Sequence, residues 1–209
     1  MPALLHARSA PFPSTDTVRE SPVDRALARV GLSATQMTWS SLVVRGATHQ
    51  LGSDHCPLDR RLLVTSDVDE YKRWIGLDDE SVRRGTCAAT PQRPRWAVPP
   101  RRLARADELG AADRLEMQRA VAAYVWGDSS AMQAWREVIA RHAAPFELDV
   151  VAASRIELHD GAVLRINGRA TMLVAEELVL DDGQVAMTAD GVVAATVIEK
   201  RRDFGGSHA

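Results

Sequence analysis

The chain has 209 residues, 45% of them apolar and 26% charged, with a formal net charge of −2. This composition excludes wholesale disorder, and the balanced charge gives no general attraction to nucleic acid or to an anionic membrane. Two cysteines are too few for a disulfide-stapled secreted domain, and no apolar run reaches the ~18 residues of a membrane span, so we expect a cytoplasmic protein without membrane contact.

The N-terminal part is predicted to be an arm followed by a small α/β region. Residues 1–20 are rich in proline and lack periodicity, which indicates a flexible arm. Residues 21–87 contain a helix start at Ser21-Pro22 and a strand-like run over 37–45. A shorter strand is predicted over 62–65.

A short helix should follow the second of these strands. Asp67 and Glu70 have the spacing of a capping box, and Gly76 supplies a stop. A further short helix is predicted over 79–84.

Between the two strands lies a segment, 49–57, that is predicted to be a loop. It contains His49, Asp54, His55 and Cys56, all of which are residue types that bind metals. Their spacing matches no standard zinc motif, so a metal site here is an alternative to an ordinary polar loop. We otherwise expect no cofactor. Cys87, beside two arginines, is expected to be a buried, inert thiol.

Residues 88–108 are predicted to be an extended connector between domains, because prolines alternate with arginines. Seven arginines and no acid lie within 83–105. Arginines beside an aromatic ring suit phosphate contact and base stacking, although the balanced overall charge makes nucleic acid an unfavoured partner. The candidate contacts are Arg93, Arg95, Trp96, Arg101, Arg102 and Arg105.

Residues 109–145 predict a helical hairpin. Asp113 with Glu116, and Ser130 with Gln133, have the spacing of capping boxes that would start two helices with apolar faces. The segment 127–130 separates them. Tryptophans at helical spacing are expected to be core.

Residues 146–200 form a β-repeat, followed by a short tail over 201–209. The segment 156–164 aligns with 178–186 at an offset of 22, with an Asp-Gly pair at the same place in each copy, and a partial third copy runs through 195–198. The predicted self-association core consists of Ile156, Leu158, Val163, Leu178, Leu180 and Val185.

Two architectures fit the repeat. In a β-solenoid each copy is one coil of short parallel strands, whereas in an antiparallel β-sandwich or jelly roll each Asp-Gly closes a hairpin. Hairpin pairing across Asp160-Gly161 would place Arg165 beside Ile156 on the core face, which favours the solenoid. The predicted fold class is therefore α+β: a small α/β region, an αα-hairpin and a C-terminal all-β repeat.

Polar side chains within the repeat suggest no active site. His159 follows a strand and precedes a turn, so we expect it to be exposed. The pairs Glu176-Glu177 and Asp181-Asp182 point to opposite faces of a strand and are expected to be solubilising. His142, on an apolar helix face, is expected to be a packing histidine.

The leading functional prediction is a non-enzymatic structural or protein-interaction protein. It would self-associate as a homo-oligomer, or dock another protein, through the end of the short repeat, because exposed strand edges add further strands readily. The alternatives are a metal-dependent enzyme with a jelly-roll domain and the loop of His49, and a nucleic-acid accessory protein that binds through the arginine-rich segment. Since the sequence lacks phosphate loops, dinucleotide fingerprints and nucleophile elbows, the enzyme is the weaker prediction.

Overall fold

A computed structural model of the protein describes residues 20–51, 57–85, 91–105, 107–187 and 191–201. The fold is mixed α/β, with helices packed against sheets built largely of parallel strands and no closed barrel among the described strands. The helices are α1 (Pro22–Arg29), α2 (Val68–Ile75), α3 (Asp79–Arg83), α4 (Arg101–Arg105), α5 (Ala111–Trp126) and α6 (Arg136–Ala143). Short 3-10 helices cover Ala34–Gln36 and Ser129–Trp135.

Two sheets contain all the described strands. The strands are β1 (Ser40–Arg45), β2 (Thr48–Leu51), β3 (Arg60–Thr65), β4 (Phe146–His159), β5 (Val163–Ile166), β6 (Ala170–Asp181), β7 (Gln184–Met187) and β8 (Gly191–Arg201). The first sheet has the order β1-β4-β6-β8, and the second has the order β2-β5-β7. All of these neighbouring pairs are parallel.

The register of β4 with β6 has the offset of 22 that the repeat over 146–200 predicts, whereas β5 pairs with β7 at an offset of 21. Ile156 pairs with Leu178, and Leu178 pairs with Ile198, so the offset is 22 and then 20. The strands that flank each Asp-Gly turn lie in different sheets, so the hairpin pairing of a sandwich is absent from the described strands.

The two Asp-Gly turns use glycine for different reasons. Asp160 and Gly161 both have positive φ, at 56° and 72°, a conformation that favours glycine. Gly183 is instead required by a close approach, because a Cβ there would lie 2.3 Å from the Cβ of Leu158.

The edge of β4 opposite β6 is shared by two strands. β1 pairs in parallel with the second half of β4, while β3 pairs antiparallel with its first half, from Thr65–Phe146 to Arg60–Val151. Strands from residues 21–87 therefore belong to the same sheet as those from 146–200. The domain boundaries along the chain stay a prediction.

Two hydrophobic clusters lie on opposite faces of the first sheet. The first cluster joins the helices to one face through residues such as Leu27, Trp74, Trp135 and Leu148. The second cluster fills the space between the two sheets and includes Ile156. Within the described ranges, no helix is both long and apolar enough to cross a membrane.

Several predicted elements are confirmed near their expected limits. Ser21 caps α1, its hydroxyl accepting the N–H of Asp24 at 3.0 Å. Asp67 caps α2. Glu70 does not complete a capping box there, because its carboxylate instead accepts the Thr65 hydroxyl at 2.6 Å.

The extended connector predicted over 88–108 is wrong in its last part, where α4 forms. Leu103 is fully buried in the first cluster, and its N–H donates to the carbonyl of Pro100 at 2.9 Å. Burial of this leucine stabilises a helical turn in a segment whose prolines predicted an extended backbone. The carbonyl of Leu103 also contacts Nε2 of His142 at 2.8 Å, which gives that histidine a packing role.

The helical hairpin is present, but both predicted capping boxes are wrong. Gly110 is the N-cap of α5, and Glu116 is buried, its carboxylate accepting the backbone N–H of Arg95 at 2.6 Å. This hydrogen bond holds the pKa of Glu116 below its ordinary value. The second helix starts as a 3-10 helix that is capped by Asp128 and not by Ser130.

Candidate functional site

Inward side chains are those that point from a strand into the second cluster, between the two sheets. Because the strands are parallel and in register, equivalent inward side chains can be compared from strand to strand. Ile156, Leu178 and Ile198 lie side by side on β4, β6 and β8. Their exposed fractions are 0%, 3% and 62%. The outermost strand thus carries a large apolar side chain that the next strand of the series would cover.

The second sheet shows the same contrast in burial at its outermost strand. Leu164 on β5 is fully buried, whereas Val185, its neighbour on β7, is only partly buried, and so is Met187 beside Ile166. β7 and β8 are the outermost strands of their sheets. We call the surface formed by Val185, Met187, Val193 and Ile198 the open end.

The opposite end of the stack is closed. Leu42 and Val44 on β1 and Leu51 on β2 are all buried, although no further described strand lies beyond them. Leu58, which precedes β3, is buried in the same second cluster. The two ends of the repeat therefore differ in the exposure of their inward side chains.

The predicted self-association core lies mostly inside the molecule. Ile156, Leu158 and Leu178 are buried in the second cluster, and Leu180 and Val185 are partly buried against it. Val163 is half-buried and outside that cluster, because its neighbour Leu164 is the inward residue.

Of the predicted metal ligands, only His49 can be placed. It lies on strand β2 and not in a loop, paired with the inward residue Leu164. Its Nε2 atom is buried and has no hydrogen-bond partner among the described residues. Asp54, His55 and Cys56, like Cys87, lie outside the described residues. The described part of the chain contains no group of three or more His, Cys, Asp or Glu residues placed to hold a metal ion.

The arginine-rich segment surrounds Trp96 with its own guanidinium groups. Those of Arg95 and Arg102 lie 5.8 and 5.2 Å from the ring centroid, and Arg102 also forms an ion pair with Asp113 at 2.8 Å. The carbonyl of Trp96 accepts the indole N–H of Trp135. Arg93, Arg101 and Arg105 are exposed. The ring that would stack on a base thus has cation–π contacts with two arginines of its own chain.

A polar cluster that the sequence did not predict lies on the outer face of the first sheet. His159 is buried and not exposed, with Nδ1 3.0 Å from Asp181 and Nε2 2.8 Å from Glu157. Arg155 extends the cluster through ion pairs to Glu157 and Glu177. The expectation of purely solubilising acids is therefore wrong for Asp181 and Glu177.

The repeat offset contained the signal for this cluster. His159 and Asp181 are 22 positions apart, which makes them neighbours on adjacent strands, and Glu157 shares the face of His159 because it lies two residues earlier. Asp181 raises the pKa of His159, with Glu157 as the second cause, and the hydrogen bond from His159 lowers the pKa of Glu157. Each imidazole nitrogen contacts a carboxylate, so the arrangement joins two strands and leaves no nitrogen for a substrate.

A second buried polar site lies in the helical layer. The Nζ of Lys72 donates to the carbonyls of Tyr124, Val125 and Gly127, which end α5, and lies 3.0 Å from Asp79. A cation at a helix C-terminus satisfies its last carbonyls. These contacts join α2, α3 and α5, so Lys72 has a structural role.

No family model matches the chain, and neither a curated protein nor a solved structure is significantly similar to it.

Proposed function

We propose that the protein is a non-enzymatic structural protein that self-associates through the open end of its β-repeat. The observation that carries the proposal is the exposure of Ile198 at 62%, against 3% for its neighbour Leu178. Long edge strands with exposed apolar residues pair with other strands unless they are covered. Self-association would bury the terminal row in the way that each internal row is buried.

The fold supports this proposal if the repeat is a short β-solenoid, which is our interpretation of the parallel strands. Successive copies lie side by side in two sheets, and apolar residues pair with apolar residues at offsets of 22 and 20 in the first sheet and 21 in the second. Solenoids need their terminal repeats capped for solubility. Here the inward residues of one end are buried, and a second protein surface would cover those of the other. We place the protein in the cytoplasm, in line with its two cysteines.

The test is light scattering coupled to size-exclusion chromatography over a concentration series. The wild-type chain should form oligomers, and Ile198→Asp should be monomeric because an aspartate would be buried unpaired in the contact. Val98→Asp is the matched control, since Val98 is 64% exposed and lies outside the repeat. A wild-type chain that stays monomeric at every concentration would refute the proposal.

One observation favours a second candidate, a metal-binding protein. Within the described part of the chain, the buried Nε2 of His49 has no hydrogen-bond partner, and such an atom is stabilised if it binds a metal. Asp54, His55 and Cys56 follow closely in sequence and supply suitable ligand types.

Metal analysis of the purified protein separates the two candidates. A metal site requires stoichiometric zinc or another transition metal that is lost from His49→Leu, with His142→Leu as the control. Equal, substoichiometric metal in all three proteins would eliminate this candidate and leave self-association unaffected.

A further inference from the structure

We propose that the open end pairs with the open end of a second copy, so that the assembly is a closed two-fold dimer and not a filament. This inference rests on the proposed self-association and specifies its geometry. It follows from the difference between the two ends of the repeat and from an irregularity in strand β8.

A head-to-tail filament would have to join the open end to the closed end. The inward side chains at the closed end, Leu42, Val44 and Leu51, are already buried, and Leu58 is buried in the same cluster. Such a contact would add little burial of inward apolar side chains on that side. Contact between two open ends buries exposed apolar residues on both molecules, and a two-fold interface requires only one self-complementary surface.

The inward residues of β8 are identified by their partners on β6. Val193, Ala195, Ile198 and Lys200 pair with Leu173, Ala175, Leu178 and Leu180, which line the second cluster or pack against it. The spacing is two residues except from Ala195 to Ile198, where it is three. The register omits Thr196 of β8 and Glu176 of β6 together at that point. The alternation of inward and outward side chains therefore shifts by one residue on both strands.

This spacing selects one antiparallel register between two copies of β8. Opposed residues in an antiparallel pair point to the same face, so inward residues must oppose inward residues. When residues 192–201 overlap fully, Ala195 lies opposite Ile198 of the second copy, and Val193 lies opposite Lys200. This register uses every residue of β8 except Gly191 and keeps every inward residue inside.

The same two-fold axis suits the side chains and the second sheet. A large isoleucine lies beside a small alanine, and the Lys200 ammonium, on an exposed side chain, can extend past Val193 to solvent. The axis passes between residues 196 and 197, so the two copies of β7 approach each other on the inner side. Val185 and Met187, half-buried in the single chain, become covered.

Single-cysteine crosslinking tests this geometry. In a Cys56→Ser, Cys87→Ser background, Val197→Cys places thiols next to the two-fold axis, on strands about 4.8 Å apart. A short bis-maleimide should therefore convert Val197→Cys alone into a covalent dimer. Val43→Cys and Val98→Cys are matched controls at exposures of 53% and 64%, and neither should crosslink to itself.

The outcomes separate this inference from the proposed function. A light-scattering plateau at the dimer mass, with crosslinking of Val197→Cys alone, supports the two-fold dimer. Assemblies that grow with concentration, and that crosslink only when Val43→Cys and Val197→Cys are present in one chain, would overturn it while keeping self-association. A monomer at every concentration would overturn both.

Discussion

The contrast between Leu178 and Ile198 gives a quantitative prediction. The two residues are neighbours in register on β6 and β8, but Leu178 is 3% exposed and Ile198 is 62% exposed. Truncation of a fully buried leucine to alanine costs about 2–5 kcal/mol of the free energy of unfolding. We expect about 3 kcal/mol for Leu178→Ala, which lowers the melting temperature by ~6–12 °C in a chain of this size.

Ile198→Ala should cost much less in the monomer. Only about a third of its side chain is covered, and full burial of an isoleucine stabilises by about 1.5–3 kcal/mol, so the expected loss is about 1 kcal/mol or less. In the proposed dimer the same residue would be buried. The cost of Ile198→Ala should therefore increase with protein concentration, because association stabilises the folded state by mass action.

The assay is urea unfolding of the wild type and both variants at a low and a high protein concentration. Leu178→Met, which conserves volume, serves as a control and should cost less than about 1.5 kcal/mol. Equal losses for Leu178→Ala and Ile198→Ala in dilute solution would refute the assignment of inward and terminal positions. A loss for Ile198→Ala that does not change with concentration would contradict its burial in a dimer.

Three further predictions concern polar and glycine contacts. Asp181 and Glu157 raise the pKa of His159, so the protonated imidazole stabilises the folded state below its unfolded pKa of ~6.5, and this stability is lost as pH rises through the folded pKa. The melting temperature of His159→Gln should therefore lie furthest below that of the wild type near pH 6 and approach it in alkaline buffer. Lys72→Met should cost about 2–3 kcal/mol in urea unfolding, since it leaves the C-terminal carbonyls of α5 without their donor; a loss near zero would show that water replaces the ammonium. Gly183→Ala should destabilise by about 1–3 kcal/mol through contact with Leu158; an unchanged melting temperature would mean that the turn shifts freely.

The repeat was predictable because its signal is local and periodic. An offset of 22 with an Asp-Gly pair in each copy gave the pairing of Ile156 with Leu178 and placed both turns. It also contained the proximity of His159 and Asp181. Parallel pairing of β4 with β6 places residues that are one offset apart next to each other, whereas the pattern of each strand taken singly indicates only which face a residue lies on.

The features of the fold that the sequence does not predict depend on contacts between distant segments. Nothing in the sequence around β1 indicates that it pairs with β4, or that His49 lies on a strand opposite Leu164. Helix α4 likewise exists because Leu103 is buried by elements elsewhere in the chain. Short segments with weak helix or strand propensity adopt the structure that tertiary packing selects. Local sequence patterns carry no information about that packing.

The division of one edge of β4 between β1 and β3 has a consequence for synthesis and folding. The hydroxyls of Ser41 and Ser154 are 2.9 Å apart in space and 113 positions apart in the chain. During translation, β1 and β3 leave the ribosome long before their shared partner exists, and such non-local pairing folds slowly. A ribosome that stalls before residue 146 would release a chain whose helices and early strands have no sheet to cover, which is a substrate for chaperones and proteases.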